Sequence, residues 1–253
     1  MGMEFATLFP YAATLPAGFI LAGLIWSLAL GFAAGNYACS LVHRLPRGLG
    51  ILEKKPYCGS CNAMLATKDL FPVASALLLN HKCRYCGAAI PKSHFYTELL
   101  IGALFCLCFA VWGFSEHYYI VALLGSMTTV LASIHSNEGK IDGRVMVAII
   151  VMGMLLRVLE DGTIYGFFEG GVAGLFVGCI IWHKRIEKRG HIFVPPLPAL
   201  LLAIGGICLG VKGLVIFAPA FAIAVLLFRV FKSTAPITVP FGLALILSIL
   251  LFR

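Results

Sequence analysis

The chain has 253 residues, of which 60% are hydrophobic and 12% charged, and it carries a formal net charge of +8. Soluble domains carry roughly 25% charged residues, so a mean hydropathy of +0.98 excludes a soluble globular chain and points to a polytopic membrane protein. The positive charge does not indicate nucleic-acid binding, because the basic residues are spaced between apolar stretches and not gathered on one polar face.

A membrane crossing needs about 15–22 apolar residues. The first is expected over Ala17–Cys39. The apolar stretch from Phe19 to Ala38 has no basic region before it and no A-x-A site, so it reads as a retained helix and not a signal peptide. Further crossings are expected over Tyr96–Phe114, Tyr118–Ile134, Val145–Leu159, Tyr165–Trp182, Leu197–Gly210, Leu214–Phe228 and Ile237–Phe252. The sixth and seventh are short and nearly continuous, which leaves seven crossings open beside eight. The expected fold is an all-α polytopic membrane protein with about eight transmembrane helices. Its organisation divides into a first helix (residues 1–39), a polar segment (40–95) and a helical membrane domain (96–253).

The loops set the orientation. Ser40 to Phe95 carries Arg44, Arg47, Lys54, Lys55, Lys68, Lys82, Arg84 and Lys92 against Glu53 and Asp69. The stretch after the fifth crossing holds Lys184, Arg185, Lys188 and Arg189, and the last loop holds Arg229 and Lys232. With eight crossings these basic loops share one side, which is expected to be the cytoplasm. The opposite loops hold Glu4, Glu116, Glu160 and Asp161, and the N-terminus is expected outside.

The polar segment carries two C-x-x-C pairs, Cys58 with Cys61 and Cys83 with Cys86. Paired knuckles of this kind are a strong tetrahedral-metal signal. A cytoplasmic location is reducing, which favours a metal over disulfides. Four thiolates close the shell of a zinc ion and leave no open position, so the expected role is a structural zinc in a small loop domain. Lys54, Lys55, Lys82 and Arg84 would offset part of the thiolate charge. Cys39, Cys106, Cys108, Cys179 and Cys208 lie in apolar stretches and read as small buried hydrophobes.

The residues around the knuckles resemble the type IV prepilin leader peptidase family. Gly35-Asn36-Tyr37 with His43-Arg44-Leu45-Pro46 resembles the family's first-helix exit. Asp69-Leu70-Phe71-Pro72 resembles its D-L-I-P segment, and Lys82-Cys83-Arg84-Tyr85-Cys86-Gly87 with Ile90-Pro91 its second knuckle. Tyr96-Thr97-Glu98-Leu99-Leu100 resembles the family's helix-opening E-L-L, and Val239-Pro240-Phe241-Gly242 its P-F-G. The resemblance spans about residues 30 to 245. It implies a bacterial cytoplasmic-membrane aspartyl protease that removes the leader from prepilins and pseudopilins, and in many members an N-methyltransferase using S-adenosylmethionine. It implies as partners the N-terminal segment of such a precursor and the lipid bilayer, with no nucleic acid.

Two departures stand against the protease. The family uses two aspartates, one ionised to activate water and one holding the proton. His135 occupies the first position, with Asp142 where the family has proline. Pro198 falls at the second when Gly206 and Gly210 are aligned with the family's downstream glycines, and no Asp or Glu occurs from Lys188 to Arg253. Asp142 and Glu138 are the weak candidates for a relocated carboxylate, with Glu187 or Glu98 as the second. No G-x-S-x-G or Gly-rich dinucleotide loop is present. Gly170-Gly171 and Gly205-Gly206 read as sites of close helix packing, and Arg157 and Glu169 as residues that pair, face a cavity or snorkel. Three functions are therefore expected to compete: a non-cleaving pseudoprotease that handles pilin-like precursors, a methyltransferase without protease, and a peptidase with a rebuilt site.

Overall fold

The computed structural model describes residue 11 and residues 15–50, 61, 63–64, 82–88, 92–162, 165–187, 197–230 and 237–252. Among these the chain is helical. The helices are α1 (Ala17–Arg44), α2 (Lys92–Trp112), α3 (Glu116–Glu138), α4 (Gly143–Asp161), α5 (Tyr165–Glu187), α6 (Leu197–Val230) and α7 (Thr238–Phe252), with one 3-10 turn at Leu45–Arg47. α1, α2, α3 and α6 are long and apolar enough to cross a membrane, and Tyr165–Ile181 and Thr238–Leu251 are shorter apolar stretches. α4 is interrupted for this purpose by Arg144, Arg157, Glu160 and Asp161. The chain is a multi-pass membrane protein of seven helices among the described residues, where about eight crossings were expected with seven left open.

The chain forms two compact units, Met1–Ala122 and Leu123–Arg253. In the first, α1 and α2 form an antiparallel pair. Small residues recur every fourth position along α1, at Gly23, Ser27, Gly31 and Gly35, and therefore share one face. The Phe109 ring fills the notch at Gly23, and Glu98 fills the one at Gly35. At Gly31 the backbones nearly touch: a Cβ there would lie 2.6 Å from the Gly102 Cα. Apolar burial cannot drive this pairing in lipid, so contact packing must, and small residues permit it. The thiols of Cys39 and Cys106 contribute by donating to the carbonyls of His94 (3.7 Å) and Leu24 (3.6 Å). Tyr118, at the start of α3, is fully buried, packs edge-on against Phe105 and Phe114, and donates its hydroxyl to Ser27 at 3.3 Å. The other face of α1 exposes Phe19, Leu21, Ile25 and Trp26, as suits a lipid-facing surface.

The second unit repeats the device. Gly170, Gly174 and Gly178 of α5 lie against Gly206, Leu202 and Ala199 of α6, so this pair also runs antiparallel. Gly153 of α4 sits on Cys208 of α6. The backbone of α6 breaks at Gly210, where φ is 67° and ψ is −177°. A straight helix would place Gly205 and Phe217 about 18 Å apart along its axis. Instead the Phe217 ring covers Gly205, so α6 folds back at Gly210. This explains why seven elements are seen, the lower of the two counts that the sequence left open. The sixth and seventh expected crossings, Leu197–Gly210 and Leu214–Phe228, are the two arms of one helical element joined by a single glycine and no loop. The second arm meets α7 through Phe217, Phe221 and Phe241, whose ring centroids lie 5.8 to 6.1 Å apart. Beside the break, the buried Arg157 donates to Glu160 (2.6 Å) and to Asp161, and its guanidinium lies against Gly210. Of the readings open for Arg157, pairing is the one realised.

Candidate functional site

The cysteine knuckles come together. The sulfurs of Cys61, Cys83 and Cys86 all lie within 4.8 Å of one another. Cys58 lies outside the described residues. The second knuckle is shaped by its backbone. Cys83 N–H donates to the Ala88 carbonyl at 2.8 Å, and Gly87 N–H donates back to the Cys83 carbonyl at 2.9 Å. Gly87 has φ 71°, a left-handed conformation in which a side chain is strained, so the turn after Cys86 requires glycine. Met64 and Lys82 occupy single β-bridge positions beside the two knuckles. Cys83 is buried, whereas Cys61 and Cys86 are exposed, and none of the three is in a disulfide.

These residues fit a metal. With Zn–S bonds of about 2.3 Å, the sulfurs of a tetrahedral thiolate site lie about 3.8 Å apart. Three thiols already clustered within 4.8 Å need only a small contraction to bind one ion. Three protein ligands alone would leave a fourth position, for which Cys58 is the residue expected from the sequence.

The residues expected from the sequence at the family's two aspartate positions are His135 and Pro198. His135 lies in the last turn of α3, half-buried, with Nδ1 3.2 Å from the Thr238 hydroxyl at the start of α7. Pro198 is buried in the first turn of α6. Glu138 ends α3 as an exposed residue. Asp142 is the N-cap of α4: it accepts from Arg144 N–H at 2.9 Å and from the guanidinium at 3.1 and 2.8 Å. The Arg144 side-chain bond is the main reason that the Asp142 carboxyl stays below the usual carboxylate range. Ile141, Asp142, Gly143, Arg144 and Val147 line an open cavity of about 630 Å³. A carboxylate so engaged serves the helix terminus, and its lone pairs are directed at Arg144. The side chain of Glu187 lies outside the described residues.

Glu98 is placed differently. It is buried in α2, packed on Gly35 of α1, and belongs to the first compact unit. Two partners escaped the sequence. Thr238 is 103 residues from His135, and no local pattern announces that contact. The ion cluster of Arg157 with Glu160 and Asp161 had a usable signal in its i, i+3 and i, i+4 spacing.

Residues 29–112 match the family model described as the bacterial peptidase A24 N-terminal domain. The chain is 29% identical over 122 residues to a prepilin leader peptidase/N-methyltransferase of Myxococcus xanthus (strain DK1622), covering 48% of this chain and 36% of that protein. It is 26% identical over 212 residues to the protein of the same description from Bacillus subtilis (strain 168), covering 82% of this chain and 81% of that one. It is 22% identical over 246 residues to the type 4 prepilin-like proteins leader peptide-processing enzyme of Escherichia coli O78:H11, covering 92% and 91%. No solved structure matches the chain.

Proposed function

We propose that this chain, a relative of the prepilin leader peptidase/N-methyltransferases, receives the N-terminal segment of type IV prepilin or pseudopilin precursors in the bacterial inner membrane without cutting it. The observation that carries this reading is the contrast between two regions. The cysteine module keeps three clustered thiols and its Gly87 turn. Where the resemblance puts the dyad, His135 lies against Thr238 and Pro198 is buried, and no acidic residue follows Glu187 in the sequence. A histidine and a threonine can exchange a hydrogen bond. They cannot supply the shared proton of two carboxylates, which is what splits the pKa values of an acid–base pair.

In this reading Cys58, Cys61, Cys83 and Cys86 hold a structural zinc on the cytoplasmic side, with the N-terminus periplasmic. The basic residues of the cysteine segment support that orientation. The zinc fixes the loop and takes no part in chemistry, because four thiolates leave it no open site. Expressed with a prepilin in cells lacking their own leader peptidase, the protein should co-purify with the uncut precursor. Failure to retain any precursor would remove the reading.

A second reading, methyl transfer without proteolysis, rests on the relatives described as prepilin leader peptidase/N-methyltransferases and on the retained cysteine segment beside the substituted aspartate positions. Labelled S-adenosylmethionine and a pre-cut pilin test it, and absence of label at the pilin N-terminus would exclude it.

A further inference from the structure

The three clustered thiols are not equivalent. Cys83 is only 5% exposed, whereas Cys61 and Cys86 are both exposed, although the three sulfurs lie within 4.8 Å of one another. The difference follows from the turn. Cys83 donates its N–H to the Ala88 carbonyl and accepts from Gly87 N–H, so both of its backbone groups are tied down. Arg84, Tyr85 and Cys86 form the turn between those bonds, and all three are exposed. Cys61 comes from the other knuckle, so the two exposed sulfurs belong to different knuckles. Lys82 and Arg84 are exposed cations on the second knuckle. Buried structural cysteines are inert, whereas reactive ones are reachable from water and have cations nearby. Cys61 and Cys86 meet that description and Cys83 does not.

We propose that Cys61 and Cys86 are a site of oxidative modification, at which a small-molecule disulfide of the glutathione type joins them across the two knuckles. The thiolate of Cys86 attacks one sulfur of the small disulfide. That S–S bond breaks, one small thiolate leaves, and Cys86 carries a mixed disulfide. The thiolate of Cys61 then attacks the Cys86 sulfur, forms the Cys61–Cys86 bond and expels the second small thiolate. Two protein thiolates give up two electrons, and the small disulfide becomes two thiolates. The sulfurs start within 4.8 Å and close to about 2.0 Å, a movement within reach of an exposed turn. Oxidised glutathione is anionic, so Lys82 and Arg84 favour its approach. A reducing compartment keeps the pair as thiols, and an exposed disulfide is readily reduced again, so the bond marks periods when the small disulfide accumulates. The consequence for the metal rests on the zinc reading above: the site loses two of its four expected sulfurs and with them its tetrahedral shell.

The full-length protein, purified under reducing conditions into nanodiscs, is titrated with glutathione disulfide. It is then alkylated, digested and mapped by mass, while a chromogenic indicator reads released zinc. The expected main product is a peptide pair linked through Cys61 and Cys86, with Cys83 recovered in alkylated form. About one zinc per chain should be released as the linkage forms. Cys86→Ser should instead leave a single glutathione held on Cys61. If that variant does not fold, the map of the unaltered protein decides alone. Any other pairing as the main product, or thiols that all survive the titration, would overturn the assignment, while zinc counted in the untreated protein keeps the zinc reading. Linkage without loss of zinc would overturn the consequence for the metal. The Cys61–Cys86 linkage in protein that carries no zinc from the start would uphold the pairing and remove the zinc reading.

Discussion

Single residues decide what each site can do. The knuckle cysteines were legible from spacing, since C-x-x-C geometry is local, and the fold brings three of the four into one cluster. If these thiols hold a metal, a strong chelator should expose Cys61, Cys83 and Cys86 together to a thiol reagent, read by mass. Unchanged labelling would mean that the thiols hold nothing. Gly87→Ala should destabilise the second knuckle by about 1–2 kcal/mol because of its left-handed φ of 71°. Asp142 gives a pH signature. Its carboxyl is lowered in the folded protein, so its contribution is complete above the unfolded value of 3.8 and is lost as pH falls through the lower folded value. Asp142→Ala should cost about 1 kcal/mol at neutral pH and flatten that acid limb in a thermal-unfolding series. Asn in its place should keep most of the cap. Arg144 is solvent-facing, so added salt should weaken the ion-pair part of this effect.

Helices in this chain are held by what their side chains lack. The doublets Gly170-Gly171 and Gly205-Gly206 marked close packing in the sequence, and Gly170 indeed meets Gly206 across α5 and α6. The equivalent seam on α1 was written just as plainly in Gly23, Gly31 and Gly35, at four-residue multiples. Gly31→Leu should separate α1 from α2 and cost about 1–3 kcal/mol or more, seen as a lower unfolding midpoint in detergent. Gly210 was harder to read. Hydropathy located the edge of a span there, yet it could not distinguish a loop from a one-residue fold-back, because both arms stay apolar throughout. With φ 67° and ψ −177° the position is effectively reserved for glycine. Gly210→Ala should destabilise the protein by about 1–3 kcal/mol, whereas a flexible loop would tolerate it.

At the scale of the whole molecule, class and a family resemblance were legible and pairings between distant residues were not. Mean hydropathy and the cysteine segment carried the membrane class and the family resemblance, and residues 29–112 then matched a family model. The contact of His135 with Thr238 depends on how α3 meets α7, which no window of sequence contains. The burial of Glu98 likewise depends on the notch at Gly35, although the E-L-L motif was visible. If the scaffold is intact and only the dyad is missing, His135→Asp with Pro198→Asp together should give measurable leader removal, and each change alone should not. The central claim is that the unaltered chain does not cut. Its most direct test is the intact mass of a prepilin co-expressed with this protein in cells lacking any other leader peptidase. The account predicts the precursor mass with its leader still attached, and leader-free pilin would contradict it.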